Sequence, residues 1–393
     1  MEDVYLIEGA RTAFTAFTGS FATVSAIQLG TVTAVEALNR SKVTPEDVDA
    51  VFYGNVIATG KDAAYTARHI ALLAGLPEEI PALTLNRLCG SGLQSVISGA
   101  QEIQLGESQI VLAGGTENMS QAPFSNFEQR SQSSKMGNIQ FEDMLQATLT
   151  DQYTGMGMGM TAENLAEKYA ITREQQDAYA VLSHERAAAS QQADVFAREI
   201  VPVQVPTRKG TRVIEQDEQI RPDTTVEQMA QLQPVFKRQG TVTAANASSI
   251  NDGAASIVLA SGQAVEEKGL QPLAKIISYA AVGVDPNYMG IGPVPAIKRA
   301  LVRANLTIDD IDLFEINEAF AAQYLAVEQE LQLDRNRVNV HGGAIALGHP
   351  VGASGTRVLL SAAHTLHERQ EHYAVVSLCI GGGQGIAMII ERV

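Results

Sequence analysis

Short apolar runs with strand character alternate along the chain with longer stretches of helical periodicity, and this alternation commits the chain to a layered α/β architecture. VYLIEG at 4–9, AVFYGNV at 50–56 and IVLAGG at 110–115 read as strands. The spacing from about Val24 to Arg40 predicts a helix, as does GSGLQSVISGAQEIQLG, which follows TLNRLC at 84–89. A strand, a cysteine-bearing turn, a helix and a second strand therefore come in order. The second half follows a loosely similar plan: LFEINEAF at 313–320, VNVHGGAIALGHPVGASG at 338–355, a helical stretch, then AVVSLCIGGGQG at 374–385. The pattern points to an internal repeat, although βα alternation also arises without one. Two related halves facing each other would gather Cys89, His349 and Cys379 at the strand ends, where α/β folds bind ligands.

Between the halves, 118–245 is rich in Gln, Ser, Met and Gly and poor in strand-like runs. It reads as an inserted loop domain built from several short helices, since so long a stretch without structure of its own would be unusual. Within it, ITREQQDAYAVLSHERAAAS at 171–190 predicts a helix capped by Thr172, with Gln175 three residues on completing a capping box. The chain thus divides into 1–117, the first part of the N-terminal half; 118–245, the insert; 246–270, the end of that half; and 271–393, the C-terminal half. With 393 residues, 45% of them hydrophobic, there is enough apolar surface for two packed cores.

A formal net charge of -16 argues against a general nucleic-acid binder, which needs clustered Lys and Arg to displace counterions. An anionic ligand would need a local basic patch. Arg208, Lys209, Arg212, Arg221, Lys237 and Arg238 offer one, or else form a solvated loop. Two cysteines are too few for a disulfide scaffold or a thiolate-rich zinc site, so a reducing compartment, the cytoplasm, is expected. The N-terminus lacks the basic region of a secretory signal, and no apolar stretch approaches the roughly 20 residues needed to cross a bilayer. Walker A, HExxH and GxSxG patterns are missing, which removes phosphoryl transfer, zinc hydrolysis and serine hydrolysis from consideration.

Cys89 sits in N-R-L-C-G-S-G, before a helix whose unpaired N–H groups and dipole would favour a thiolate. Gly90 and Gly92 would leave amide donors free to face an oxyanion. The alternative is a small cysteine packed where strand meets helix. Cys379, in S-L-C-I-G-G-G-Q-G, occupies a second glycine-rich strand end. His349, in A-L-G-H-P-V-G, is held on a turn ahead of a helix beginning near Ser354 and suits proton transfer or hydrogen bonding to a thioester oxygen. His341 competes for that role; His69, His184, His364, His367 and His372 fall in helix-like, peripheral contexts. Asn317 and Glu318 follow a strand and would orient a water or the imidazole, or cap a helix. Gly155 to Met160 lacks GxGxxG spacing and reads as an apolar lining for an acyl chain or as ordinary packing.

With these pieces assembled, the chain resembles the thiolase family along essentially its whole length. N-R-L-C-G-S-G-L-Q at 86–94, G-G-T-E-N-M-S at 114–120, N-A-S-S-I-N-D-G-A-A at 246–255, N-E-A-F-A at 317–321, G-G-A-I-A-L-G-H-P-V-G-A-S-G at 342–355 and C-I-G-G-G-Q-G at 379–385 look like its signatures, in its order. The resemblance implies an α/β fold of duplicated βαβαβ halves in an α/β/α/β/α core with an inserted loop domain, assembled as a homodimer or homotetramer. It implies that Cys89 accepts the acyl group, that His349 activates it, and that Cys379 acts as acid and base at the α-carbon of the second substrate. It assigns one oxyanion hole to His349 and a water held by Asn317, and another to the backbone amides of Cys89 and Gly381.

By the same matching, Arg221, Phe236 and Ser248 contact coenzyme A, Met158 and Met289 lie near the acyl group, and Ala319 and Phe320 belong to the substrate site. The implied reaction is the reversible condensation of two acetyl-CoA to acetoacetyl-CoA and CoA. No metal or cofactor is implied, the CoA thioesters being substrates, and neither a nucleic acid nor a membrane is an expected partner. Short-chain biosynthetic members often carry a His where this chain has Gly157, so a degradative 3-ketoacyl-CoA thiolase of broader chain length is the alternative. Further alternatives are a non-catalytic acyl-CoA-binding relative, a ketosynthase or hydroxymethylglutaryl-CoA synthase, and a reversible Cys89–Cys379 disulfide.

Overall fold

Strand Val4–Arg11 lies at the centre of one ten-stranded sheet. The computed structural model describes residues 2–131, 136, 138–208 and 210–393. To one side of the central strand come Asn251–Ser261, Ile110–Asn118, Ala50–Gly54 and the edge strand Ala82–Leu85, with Thr15–Ala16 added to Asn251–Ser261. To the other side come Ala274–Gly283, Gln384–Arg392, Tyr373–Ile380 and Leu313–Ile316. Each wing is antiparallel near the join and parallel at its outer edge. Among the described residues, the strand ladder between the wings consists of Tyr5 paired with Lys275 and Leu6 with Ala274.

The period-two alternation of the strands sorts their side chains into layers. Val111 and Ala113, like Val376, Leu378 and Ile380 from the other wing, face a shared central core. That core also contains helices Ser91–Leu105 and Ser354–Arg369, which pack against each other. Ile110 and Leu112 face outward to helices Ala26–Ser41 and Thr66–Leu73, whereas Val375 and Cys379 face outward to helices Pro293–Ala304 and Ala321–Leu331. The result is the layered α/β/α/β/α arrangement that the resemblance implied.

At several positions the repeat is tighter than the loose sequence plan indicated, and these positions share one constant spacing. The N–H of Thr44 donates to Asp47 Oδ2 at 3.0 Å, and that of Thr307 to Asp310 Oδ2 at 2.7 Å. Asp49 Oδ2 accepts the N–H groups of Gln109 and Ile110 at 2.7 and 2.9 Å; Asp312 Oδ2 accepts those of His372 and Tyr373, both at 2.9 Å. The same spacing relates Ser91 to Ser354 and Gly92 to Gly355, the first residues of the two central helices.

Outside this core, 118–245 contributes the 20-residue helix Arg173–Gln192, whose Thr172/Gln175 capping box is made, and short helices at Met144–Thr148, Met158–Lys168 and Val226–Ala230. Fully buried Arg11 clasps this region to the sheet, donating to Asp217 at 2.8 and 2.9 Å and to Glu199 at 2.8 Å. Pairing with these two carboxylates offsets the cost of burying the guanidinium. Among the described residues, no helix is long and apolar enough to cross a membrane.

The central helices meet through their glycines. A Cβ on Gly92 would lie 2.7 Å from the backbone nitrogen of Thr356, and one on Gly355 would lie 2.3 Å from that of Leu93. Both obstacles are backbone, so neither can swing aside. Gly92→Ala is expected to cost about 1–3 kcal/mol of stability through overpacking, measured as a lowered urea midpoint; an unchanged midpoint contradicts the contact.

Candidate active site

The turn that carries Cys89 is held by its own neighbours. Asn86 Oδ1 accepts the N–H of Leu88 at 2.8 Å, and Ser91 Oγ accepts that of Arg87 at 2.8 Å while donating to the Leu88 carbonyl at 2.7 Å. Leu88 has a φ of 48°, a left-handed conformation that a branched side chain rarely adopts, so the turn is strained as well as clamped. Gly90 and Ser91 do not leave free amide donors for an oxyanion: their N–H groups close the turn on the carbonyls of Arg87 and Leu88 at 3.0 and 2.9 Å. The two glycines serve close approach instead, Gly90 to Ile380 and Gly92 to Thr356.

Burial raises the Cys89 thiol to about 11, against the lowering pull of the N–H groups of Gly381 and of Cys89 itself, and the Glu117 carboxyl adds to the rise. The expectation that a helix N-terminus would favour the thiolate is therefore corrected: the first amides are occupied and desolvation wins. The two N–H groups at the sulfur are those that the resemblance assigns to an oxyanion hole.

His349 is fixed from three sides. Its N–H donates to Asn251 Oδ1 at 2.8 Å, and its Nδ1 lies 2.6 Å from Ser354 Oγ, which also stands 2.9 Å from the Pro350 carbonyl. Ser354 makes both contacts at once by donating to the carbonyl and accepting from Nδ1–H, which leaves Nε2 with its lone pair. Nε2 faces the Asn317 amide nitrogen at 3.4 Å. Burial, with the Arg357 charge adding to it, lowers His349 to about 3, so the imidazole is neutral across the ordinary pH range. The preceding Gly348 has a φ of 100°, and a Cβ there would strike the Asn251 side chain. Asn317, whose own N–H donates to the Ser377 carbonyl at 2.9 Å, has a buried Oδ1 without a protein partner. An acceptor left so is suited to a water or a substrate group.

Cys379 faces the layer opposite its neighbours Leu378 and Ile380, and is fully buried. Burial pushes its thiol well above the ordinary value, and the nearby Cys89 adds to the rise. Both cysteines are free thiols. Met289, Ala319 and Phe320 share the apolar cluster of Cys379, and Met158 packs against it. Ser248 joins this wall through its N–H, which donates to the Ala319 carbonyl at 3.0 Å, and Phe236 meets Phe320 edge to face at 6.2 Å. A cavity of about 250 Å³ opens beside Gly381, lined by Leu88 and Met158 and by residues of 147–152.

Arg221 is exposed, its N–H donating to His184 Nδ1 at 3.1 Å and its guanidinium to the Glu218 carbonyl at 3.2 Å. Of the basic patch, Lys209 lies outside the described residues and Lys237 pairs with Glu167 at 2.9 Å. His341 is engaged by Ser190 and Glu368 at 2.9 and 3.1 Å, so it does not share the place of His349. His184 and His364 are buried rather than peripheral; His364 stands 3.2 Å from Glu8. Glu318 accepts from Tyr179, Ser183, Asn339 and the Ile345 N–H, bracing the loop ahead of His349. Sequence reasoning missed Asn251, Ser354 and Glu117 as supports, although each lies in or beside a quoted motif.

Comparison with known proteins bears on this geometry. The thiolase N-terminal domain matches residues 4–263 and the thiolase C-terminal domain residues 270–392. The chain is 50% identical to human "3-ketoacyl-CoA thiolase, mitochondrial", covering 100% of this chain and 98% of the relative. It is 50% identical to "Acetyl-CoA acetyltransferase" of Cupriavidus necator over 100% of both. The crystal structure of human mitochondrial 3-ketoacyl-CoA thiolase in complex with CoA superposes with a TM-score of 0.97 at 49% identity, over 100% of this chain and 98% of that one.

Alkylation of Cys89 by iodoacetamide, followed by mass spectrometry, is expected to be slow at pH 7 and to keep rising toward pH 11, because the thiolate is the reactive form. A midpoint at or below about 8.5, the value of an unperturbed thiol, would contradict the burial argument.

Proposed function

Since the chain belongs to the thiolase family of acyltransferases, we propose that it joins two acetyl-CoA into acetoacetyl-CoA and CoA, reversibly, with the acyl group carried on Cys89. The observation that carries this reading is a Cys89 thiol near enough to buried Cys379 to raise it, with a neutral His349, on the turn before the second central helix, whose Nε2 is unprotonated.

In the first step Cys89 Sγ bonds to the thioester carbon of acetyl-CoA, its proton passes to His349 Nε2, and CoA leaves as the thiol after taking the proton of Cys379, which leaves a protonated His349 and a Cys379 thiolate. A thiol near 11 and an imidazole near 3 do not exchange a proton at rest, so transfer accompanies bond formation. The developing oxyanion is met by the amides of Cys89 and Gly381. In the second step the Cys379 thiolate takes an α-proton from another acetyl-CoA. The enolate oxygen is held by the Nε2–H of protonated His349 and an Asn317-bound water, for which the unpartnered Asn317 Oδ1 is suited. The enolate carbon then attacks acetyl-Cys89; the S–C bond breaks, and the thiolate of Cys89 recovers the proton from His349, while Cys379 keeps the α-proton and ends as the thiol. Thiolysis runs the same steps backward.

Ser248, Phe236, Arg221, Ala319 and Phe320 are assigned to coenzyme A and substrate binding, and Met158 and Met289 to the acyl end. The same reading takes 118–245 as the inserted loop domain, the cytoplasm as the compartment and a homodimer or homotetramer as the assembly. A second reading, degradative cleavage of longer 3-ketoacyl-CoA, is favoured by one observation: Met158, the residue after Gly157, lines an open cavity beside Gly381.

Thiolysis of acetoacetyl-CoA and of a medium-chain 3-ketoacyl-CoA by free CoA separates the two. Cleavage of the short substrate alone is the expected result, and cleavage of both selects the second reading. Cys89→Ser should fold normally and lose turnover on either substrate. Persistent turnover in that variant rejects the acyl-Cys89 mechanism.

A further inference from the structure

Glu117 is a buried carboxylate for which the reaction scheme has no use. It stands near the end of strand Ile110–Asn118 and is fully enclosed. Oε1 accepts from Ile57 N–H at 3.1 Å and from Asn55 Nδ2 at 3.2 Å; Oε2 accepts from the N–H groups of Val56 and Gly352, each at 3.0 Å. Three of these donors belong to the segment following strand Ala50–Gly54, in the N-terminal half. The fourth belongs to the C-terminal half and lies between His349 and Ser354, the two residues whose contact fixes the imidazole tautomer.

The fit around this bridge leaves no slack. A Cβ on Gly352 would lie 2.7 Å from Glu117 Oε2 and from the Thr116 carbonyl, and one on Gly115 would lie 2.0 Å from the Gly352 carbonyl. The His349 loop is therefore pressed on the strand that bears Glu117. Val56, on the other side of the bridge, lines the cavity beside Gly381.

We propose that Glu117 is a positioning residue for acyl transfer: by binding 55–57 of one half and Gly352 of the other, its carboxylate sets the His349 loop in register with the turn of Cys89. Neutral side chains of similar size cannot replace it, because all four partners are donors and an amide would turn its own NH₂ toward at least one of them. Burial raises the Glu117 carboxyl, against the lowering pull of the N–H groups of Ile57, Val56 and Gly352, with Asp252 of the adjacent strand adding to the rise; four donors on its two oxygens leave no acceptor for a proton, so the geometry is that of the carboxylate. Cys89 titrates higher still, so Glu117 is ionised whenever the free thiol gives up its proton, and its charge opposes that loss.

The proposal rests on the thiolase reading above, whose failure would show as an inactive wild type; failure here leaves wild type active. Glu117→Gln is compared with wild type in acetoacetyl-CoA thiolysis, with the folded fraction determined by circular dichroism. Expected is a fall in kcat of about a hundredfold, the order that a misplacement of about 1 Å produces, with the KM for CoA within about threefold. Unchanged kcat, or a fall matched by loss of folded protein, overturns the proposal. If Glu117→Gln does not fold, Glu117→Asp, one methylene shorter with its charge kept, is read in its place: reduced kcat at unchanged KM supports the assignment. Wild-type kcat there, or failure of both variants to fold, overturns it.

Discussion

Everything at the reacting end of this fold depends on the contact between Gly92 and Gly355, where two equivalent helices begin. Neither position tolerates a Cβ, since the obstacle on each side is the backbone of the other helix. The turn before one helix carries Cys89 and the turn before the other carries His349, so the approach of the helices also brings those two turns together. The ladder that joins the sheet wings, only two residue pairs long, could not hold this alignment alone. The shared apolar core, with residues from both wings and both helices, supplies the remaining cohesion.

That burial also decides the electrostatics. Desolvation disfavours every charged form, raising Cys89 and Cys379 and lowering His349, so the resting site is neutral although it is built from titratable groups. A neutral site suits a reaction in which charge appears on the substrate oxygen, where fixed N–H donors await it, rather than on the nucleophile beforehand. It also explains why the helix N-terminus does not create a standing thiolate.

The strands and the capped helix at 171–190 were legible because hydrophobic periodicity and cap chemistry are local signals; the layer order came from the family resemblance. The cysteines and His349 stood out by residue type in glycine-rich turns. What could not be read was which partner each buried group meets: Asn251 and His349, or Glu117 and Gly352, are distant in sequence and joined by no spacing rule. His184 and His364 were misplaced for a related reason. A histidine on a helix shows its periodicity but not what packs over it, and here other elements do. The repeat was legible and underread: T-P-E-D-V-D at 44–49 and T-I-D-D-I-D at 307–312 share their capping Thr and Asp positions.

The constant spacing of the repeat shows how one ancestral plan gives an asymmetric site. It relates Cys89 to Gly352, His349 to Asn86, Cys379 to Thr116 and Asn317 to Gly54. Each candidate group therefore has a structural counterpart: Asn86 clamps the Cys89 turn, and Gly352 presses on the carbonyl of Thr116. By the same relation Cys89 belongs beside Cys379, which is where its effect on the acidity of Cys379 puts it. A symmetric pair of sites would compete for the space between the helices. With glycine opposite cysteine, one half supplies the nucleophile and the other its imidazole and second thiol. The closely packed glycine side is free to be held by Glu117, whose carboxylate has no equivalent in the second half, where Ile380 stands.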